Sequence, residues 1–123
     1  MHKISLHEIN HSEKTLTQAV FQVMQMLGIF HAELARILGL KCADITQLGN
    51  SQRRISADTK AWHEAEKLIK IYENLYQKYS GDEQAIYHWL RKHNRELQGV
   101  PLYLMVDELR IDDVLNVLTD HSI

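Results

Sequence analysis

Four spaced residues constrain the first half of this chain more than anything else in it. In the segment from His31 to Arg54, HAELARILGLKCADITQLGNSQRR, the fifth residue is Ala35, the ninth Gly39, the fifteenth Ile45 and the eighteenth Leu48. Two short helices crossing at close range need these residue types at these places. The fifth position faces the second helix, so its side chain must be small. The ninth lies in the turn, where a positive φ favours glycine. The fifteenth and eighteenth pack the second helix back on the first, and Leu34, Leu38 and Leu40 complete a small apolar centre. The spacing predicts a helix-turn-helix with helices over about residues 31–38 and 43–48. An ordinary helical hairpin that binds nothing is the plain alternative.

Helical periodicity governs the remainder. Leu16, Ala19, Val20, Val23, Met24 and Leu27 share one face of a helix that Ser12 or Thr15 can cap and Gly28 can end. Ser56 is placed to cap a long helix whose stripe is Trp62, Ala65, Leu68, Ile69, Tyr72, Leu75, Tyr76 and Tyr79. Ser80-Gly81-Asp82 stops it, and Asp82 caps a shorter helix carrying Ala85, Ile86, Trp89 and Leu90. HNRELQGVP reads as a loop. Pro101, the sole proline, suits the first turn of the next helix, where a missing N–H costs little. Asp112 or Asp113 opens a last helix built on Val114, Leu115 and Leu118. No alternation of apolar and polar residues marks a strand. The expected fold class is all-α. Residues 1–12 read as a flexible N-terminal arm, 13–60 as the helix-turn-helix domain, and 61–123 as a second helical unit joined through the long helix.

Composition narrows the setting. A chain of 123 residues with 45% apolar side chains can form one ordinary domain or two small ones sharing a core. No apolar run reaches the roughly 18 residues that span a bilayer, and MHKISLHEINHSEK has no signal-peptide core. A membrane partner is therefore not expected. Cys42 has no second cysteine to pair with, which suits a reducing cytoplasm. The net charge of −2 excludes a bulk polycation, but it is unevenly divided: residues 1–60 carry +2 and residues 61–123 carry −4. A mildly basic front and an acidic back suggest two different partners.

A helix-turn-helix presents its second helix to the major groove of double-stranded DNA. Its outward residues here are Lys41, Cys42, Ala43, Asp44 and Gln47. Gln47 matches the N6/N7 edge of adenine, and Ala43 matches a thymine methyl. Asn50, Ser51, Arg53 and Arg54 come next and suit phosphate oxygens. Asp44 works against binding, because a carboxylate facing DNA is repelled unless it accepts from cytosine N4. With so few cations one protomer binds weakly, and a homodimer on a two-fold operator is the remedy. The stripe from Trp62 to Tyr79, or the Trp89–Leu90 helix, is the candidate dimer contact.

From here the chain resembles a known family. ELARILGL and QLGNSQRRIS, followed by WLRKHNRELQGVPLYLM, are similar to the Xre/MbcA/ParS-type antitoxins, over roughly residues 24–118. That family joins an Xre-type helix-turn-helix to a C-terminal helical toxin-binding domain. The hallmark of the latter is a Trp-Leu pair, an asparagine, then Leu-Gly-Gly and Pro-Leu. The matching residues are Trp89-Leu90, Asn94, Leu97, Gly99 and Pro101-Leu102. His93 stands where the family usually has proline, and Gln98 replaces the first glycine of the pair. Leu109-Arg110 stands where a glycine usually precedes the last apolar helix. The resemblance implies a type II antitoxin that represses its own operon and covers the active site of a RES-fold toxin that destroys NAD. Acidic groups of the C-terminal segment would then face the toxin: Asp107, Glu108, Asp112, Asp113, and above all Asp120 or the terminal carboxylate of Ile123. The plain use of the same residues is as a solvated face with helix caps.

Other chemistry is not expected. His2, His7 and His11 lie close in sequence, but no Cys or carboxylate completes a ligand set by spacing. Cys42 is far in sequence from His88 and His93, with no orienting acid. Neither an enzyme nor a cofactor or metal site is foreseen. Two rival readings stand beside the antitoxin: a stand-alone helix-turn-helix repressor with no toxin, and an adaptor that only mediates protein–protein contact.

Overall fold

The structure is a computed structural model that describes residues 13–50 and 52–119. Among these residues are seven helices: α1 (Glu13–Leu27), α2 (His31–Leu38), α3 (Cys42–Gly49), α4 (Lys60–Lys78), α5 (Glu83–Arg91), α6 (Pro101–Asp107) and α7 (Ile111–Thr119). No strand occurs among the described residues, so the fold is all-α as periodicity predicts.

Local chemistry fixes the helix ends. Gly28 and Gly39 come directly after α1 and α2 with φ of +70° and +73°, the left-handed geometry that ends a helix without steric strain in glycine. Asp82 caps α5: its Oδ1 accepts from the amides of Gln84 at 3.1 Å and Ala85 at 3.2 Å. Pro101 opens α6.

Two expected caps differ, and a third is untested at one of its two candidates. Thr15 lies within α1, and Ser12 lies outside the described residues. Thr59, not Ser56, caps α4: its hydroxyl oxygen accepts from the Trp62 amide at 3.2 Å and donates to the Ser56 carbonyl at 2.7 Å. The chain is still turning at Asp58, whose φ is +65°, so a helix cannot start at Ser56. Asp112 and Asp113 do not precede α7 but sit in its first turn, where carboxylates complement the positive end of the helix dipole.

Helix α4 is the axle of the fold, packing against α1, α2, α5 and α7. Its buried face is Ala61, Trp62, Ala65, Leu68, Ile71 and Leu75. Ile71 lies three residues beyond Leu68 and four before Leu75, so it completes their ridge. Ile69 and Tyr72 flank that ridge half-buried, and Tyr76 is exposed. Trp62 is a core residue and is not available to a dimer contact. One cluster of buried side chains runs from Leu16 to Leu118, so α2, α3 and the C-terminal helices share a core. No helix among the described residues is long and apolar enough to cross a membrane.

Candidate nucleic-acid interface

Helices α2 and α3 pack against each other, and Ala35, Ile45, Leu48, Leu34 and Leu38 are all buried in the shared core. The turn is closed by the amides of Gly39 and Leu40, which donate to Arg36 and Ala35 carbonyls at 3.3 and 2.8 Å. A Cβ on Gly39 would meet nothing within 4 Å, so this glycine is required for its φ and not for space. In each helix a first-turn carboxylate secures the start. Glu33 accepts from the Phe30 amide at 2.9 Å, and Asp44 from the Lys41 amide at 3.0 Å. At the far end of α3, a Cβ on Gly49 would sit 2.5 Å from the Phe21 ring. That close approach of α3 to α1 is absent from the spacing argument.

Lys41, Cys42, Ala43 and Gln47 are exposed on α3, and Thr46, which sequence reasoning passed over, is exposed with them. Asn50 is also exposed, but its Oδ1 accepts from the Gln52 amide at 3.3 Å and shapes the turn. Ser51 lies outside the described residues. Arg54 is exposed and has no side-chain partner among the described residues. Arg53 is different: its Nη1 donates to Oδ1 of Asp44 in a close ion pair.

The loop after α3 is anchored to α1. Ile55 is buried, and its amide donates to Thr17 Oγ1 at 2.9 Å. That hydroxyl donates onward to the Glu13 carbonyl at 2.7 Å, and the Glu13 carboxylate accepts from the Ala57 amide at 2.7 Å. Thr17 is the one buried polar residue among those described, and its hydroxyl is fully used. The anchored chain runs back beside α3 and brings Arg53 to its first turn.

The acidic C-terminal residues are paired within the chain. Asp107 meets Arg36 at 3.3 Å, and Glu108 meets Arg110 at 3.6 Å. Asp113 meets Arg110 at 2.7 Å, and Asp112 meets Lys67 at 2.8 Å. The hydrogen bond that Lys67 donates to Asp112 is the main cause that raises the Lys67 pKa above its ordinary value, and the one that Arg110 donates to Asp113 does the same for Arg110. Asp120 and Ile123 lie outside the described residues.

The segment from His93 to Val100 is a tight loop rather than a passive linker. Asn94 and Gly99 exchange backbone hydrogen bonds of 2.8 and 3.3 Å, and Asn94 Oδ1 accepts from the Leu97 amide at 3.0 Å. Gln98 has φ +55°, and so has Leu109 before α7. A Cβ on Gly99 would meet Leu104 at 3.0 Å. Among the described residues no three His, Cys, Asp or Glu side chains gather to hold a metal, and His2, His7 and His11 lie outside them. Comparison with known protein families finds no match to this chain, and comparison with curated proteins finds none either.

Proposed function

We propose that this protein is the antitoxin of a type II toxin–antitoxin pair, binding its own operator through α3 and a RES-fold, NAD-degrading toxin through its C-terminal helices. The observation that carries the DNA half is the α2–α3 geometry: a left-handed Gly39 turn, a buried Ala35 contact, and an α3 whose far face is open from Lys41 to Gln47. In this reading Gln47 and Ala43 meet base edges, while Lys41 and Arg54 meet phosphates, and a homodimer places two copies of α3 on a two-fold site.

The antitoxin half is supported by a backbone detail. The family pattern has glycine where this chain has Gln98 and again where it has Leu109-Arg110, and at these two departures Gln98 and Leu109 adopt the left-handed conformation that glycine favours. The segment after Pro101 would then cover the toxin's active site, with Asp120 at its phosphate-binding groups.

Binding to upstream DNA tests the first half. Gln47→Ala relaxes preference at a single base position by about 1–3 kcal/mol. Arg54→Ala weakens binding to all sequences alike and flattens its salt dependence by about one charge. Unchanged operator preference in the Gln47 variant contradicts the assignment of α3. A second reading, a stand-alone repressor, gives Asp107, Glu108, Asp112 and Asp113 no role beyond their surface ion pairs with Arg36, Lys67 and Arg110.

A further inference from the structure

We infer that Arg53 reads a guanine base in the major groove, held for that task by Asp44, and that it is not a phosphate clamp. The assignment rests on the DNA-binding reading of α3.

The two partners are nine positions apart, yet the anchored loop returns Arg53 to Asp44, the third residue of α3. In a helix-turn-helix the N-terminal turn of the second helix is the part that meets base edges. Both carboxylate oxygens of Asp44 are engaged: Oδ2 accepts from the Lys41 amide at 3.0 Å, and Oδ1 accepts from Arg53 Nη1. The side chain of Asp44 is 20% exposed, whereas that of Arg53 is 47% exposed. Asp44 is thus the more covered partner and Arg53 the more open one.

Charge and geometry then favour a base over a phosphate. A phosphate is attracted mainly by net positive charge, and the neighbouring carboxylate cancels much of that of Arg53. Hydrogen-bond donors are not cancelled. One N–H of the guanidinium is used by Asp44, and the others have no partner among the described residues. Whichever hydrogen of Nη1 Asp44 takes, Nε and Nη2 keep a parallel pair of N–H groups that matches O6 and N7 of guanine. Fixing the side chain beforehand reduces the entropy lost when the fork docks. Arg54, exposed and without a side-chain partner among the described residues, suits the phosphate role. Asp44 also ceases to be the repulsive group that its place on α3 suggests.

The test is selection of binding sites from a randomised duplex library by the full chain and by Arg53→Ala, Arg53→Lys and Asp44→Asn, with salt dependence measured on the selected site. The wild type is expected to select a guanine at one position in each half-site. Arg53→Ala should reduce discrimination there by roughly 5- to 150-fold, the range of a bidentate Arg–guanine pair, and leave other positions unchanged. Lysine, lacking the fork, should not rescue it. Asp44→Asn, which keeps an oxygen for the Lys41 amide, should weaken preference at the same position. Because Arg53 is half exposed, its variants remain informative even if the Asp44 variant fails to fold. A uniform loss of affinity with a shallower salt slope in Arg53→Ala would make Arg53 a phosphate contact and overturn the inference alone. No change in Arg53→Ala would also overturn it alone. Absence of any sequence selection by the wild type would overturn the DNA-binding reading and the inference together.

Discussion

Leu109 and Gln98 each hold a backbone at φ +55°, where a side chain is strained and glycine is not. Gly39 holds φ +73° with open space around the missing Cβ. Opposite substitutions should therefore have opposite outcomes. Leu109→Gly relieves about 1–2 kcal/mol of strain and forfeits about 0.5–1 kcal/mol of chain entropy, so it should stabilise by about 0.5–1 kcal/mol. Gly39→Ala should destabilise by about 1 kcal/mol. Urea unfolding midpoints check both signs; a destabilising Leu109→Gly would show that side-chain packing outweighs backbone strain there. Gly39 was legible in the sequence because its place in the spacing demands a turn. The positive φ of Leu109 and Gln98 was not legible, since their own side chains signal nothing about φ. The Arg53–Asp44 pair was not legible at all. It depends on a loop folding back, and a loop has no period to read.

The helices were the most readable elements, because apolar period and capping chemistry both mark them. Asp82 and Pro101 sit where their chemistry places them, at the cap of α5 and the start of α6. Ser56 and Thr59 show where such rules lose resolution. Both are good capping residues three apart, and the choice between them is made by the turn at Asp58. Asp82→Ala and Thr59→Ala should each lower stability by about 1 kcal/mol, through loss of a cap, while Ser56→Ala should change it by only a few tenths of a kcal/mol, because its carbonyl is the part that Thr59 uses. Chemical denaturation of the three variants checks the order, and a Ser56 effect as large as that of Thr59 would contradict the assignment. In α4 the stripe was legible at Trp62, Ala65, Leu68 and Leu75. Ile71 was missed because helix neighbours on several sides bury a wider face than one apolar stripe describes.

At the scale of the molecule, periodicity announces the helices but not which of them touch. That α4 would pack against α1, α2, α5 and α7 depends on tertiary contacts that no local signal encodes. The consequence is a shared core under both candidate faces. The open face of α3 lies in the first part of the chain, and the acidic segment after Pro101 lies in the last. A truncation lacking residues 119–123 removes only the last residue of α7 and the four residues beyond it, so it should still fold and bind DNA. The most direct measurement is co-expression of the full chain with the product of the adjacent reading frame, read by growth and by co-purification. The account predicts that the adjacent product alone arrests growth, that the full chain restores it and co-purifies with it, and that the truncation protects poorly. Neither rescue nor co-purification by the full chain would contradict the antitoxin reading and leave a stand-alone repressor.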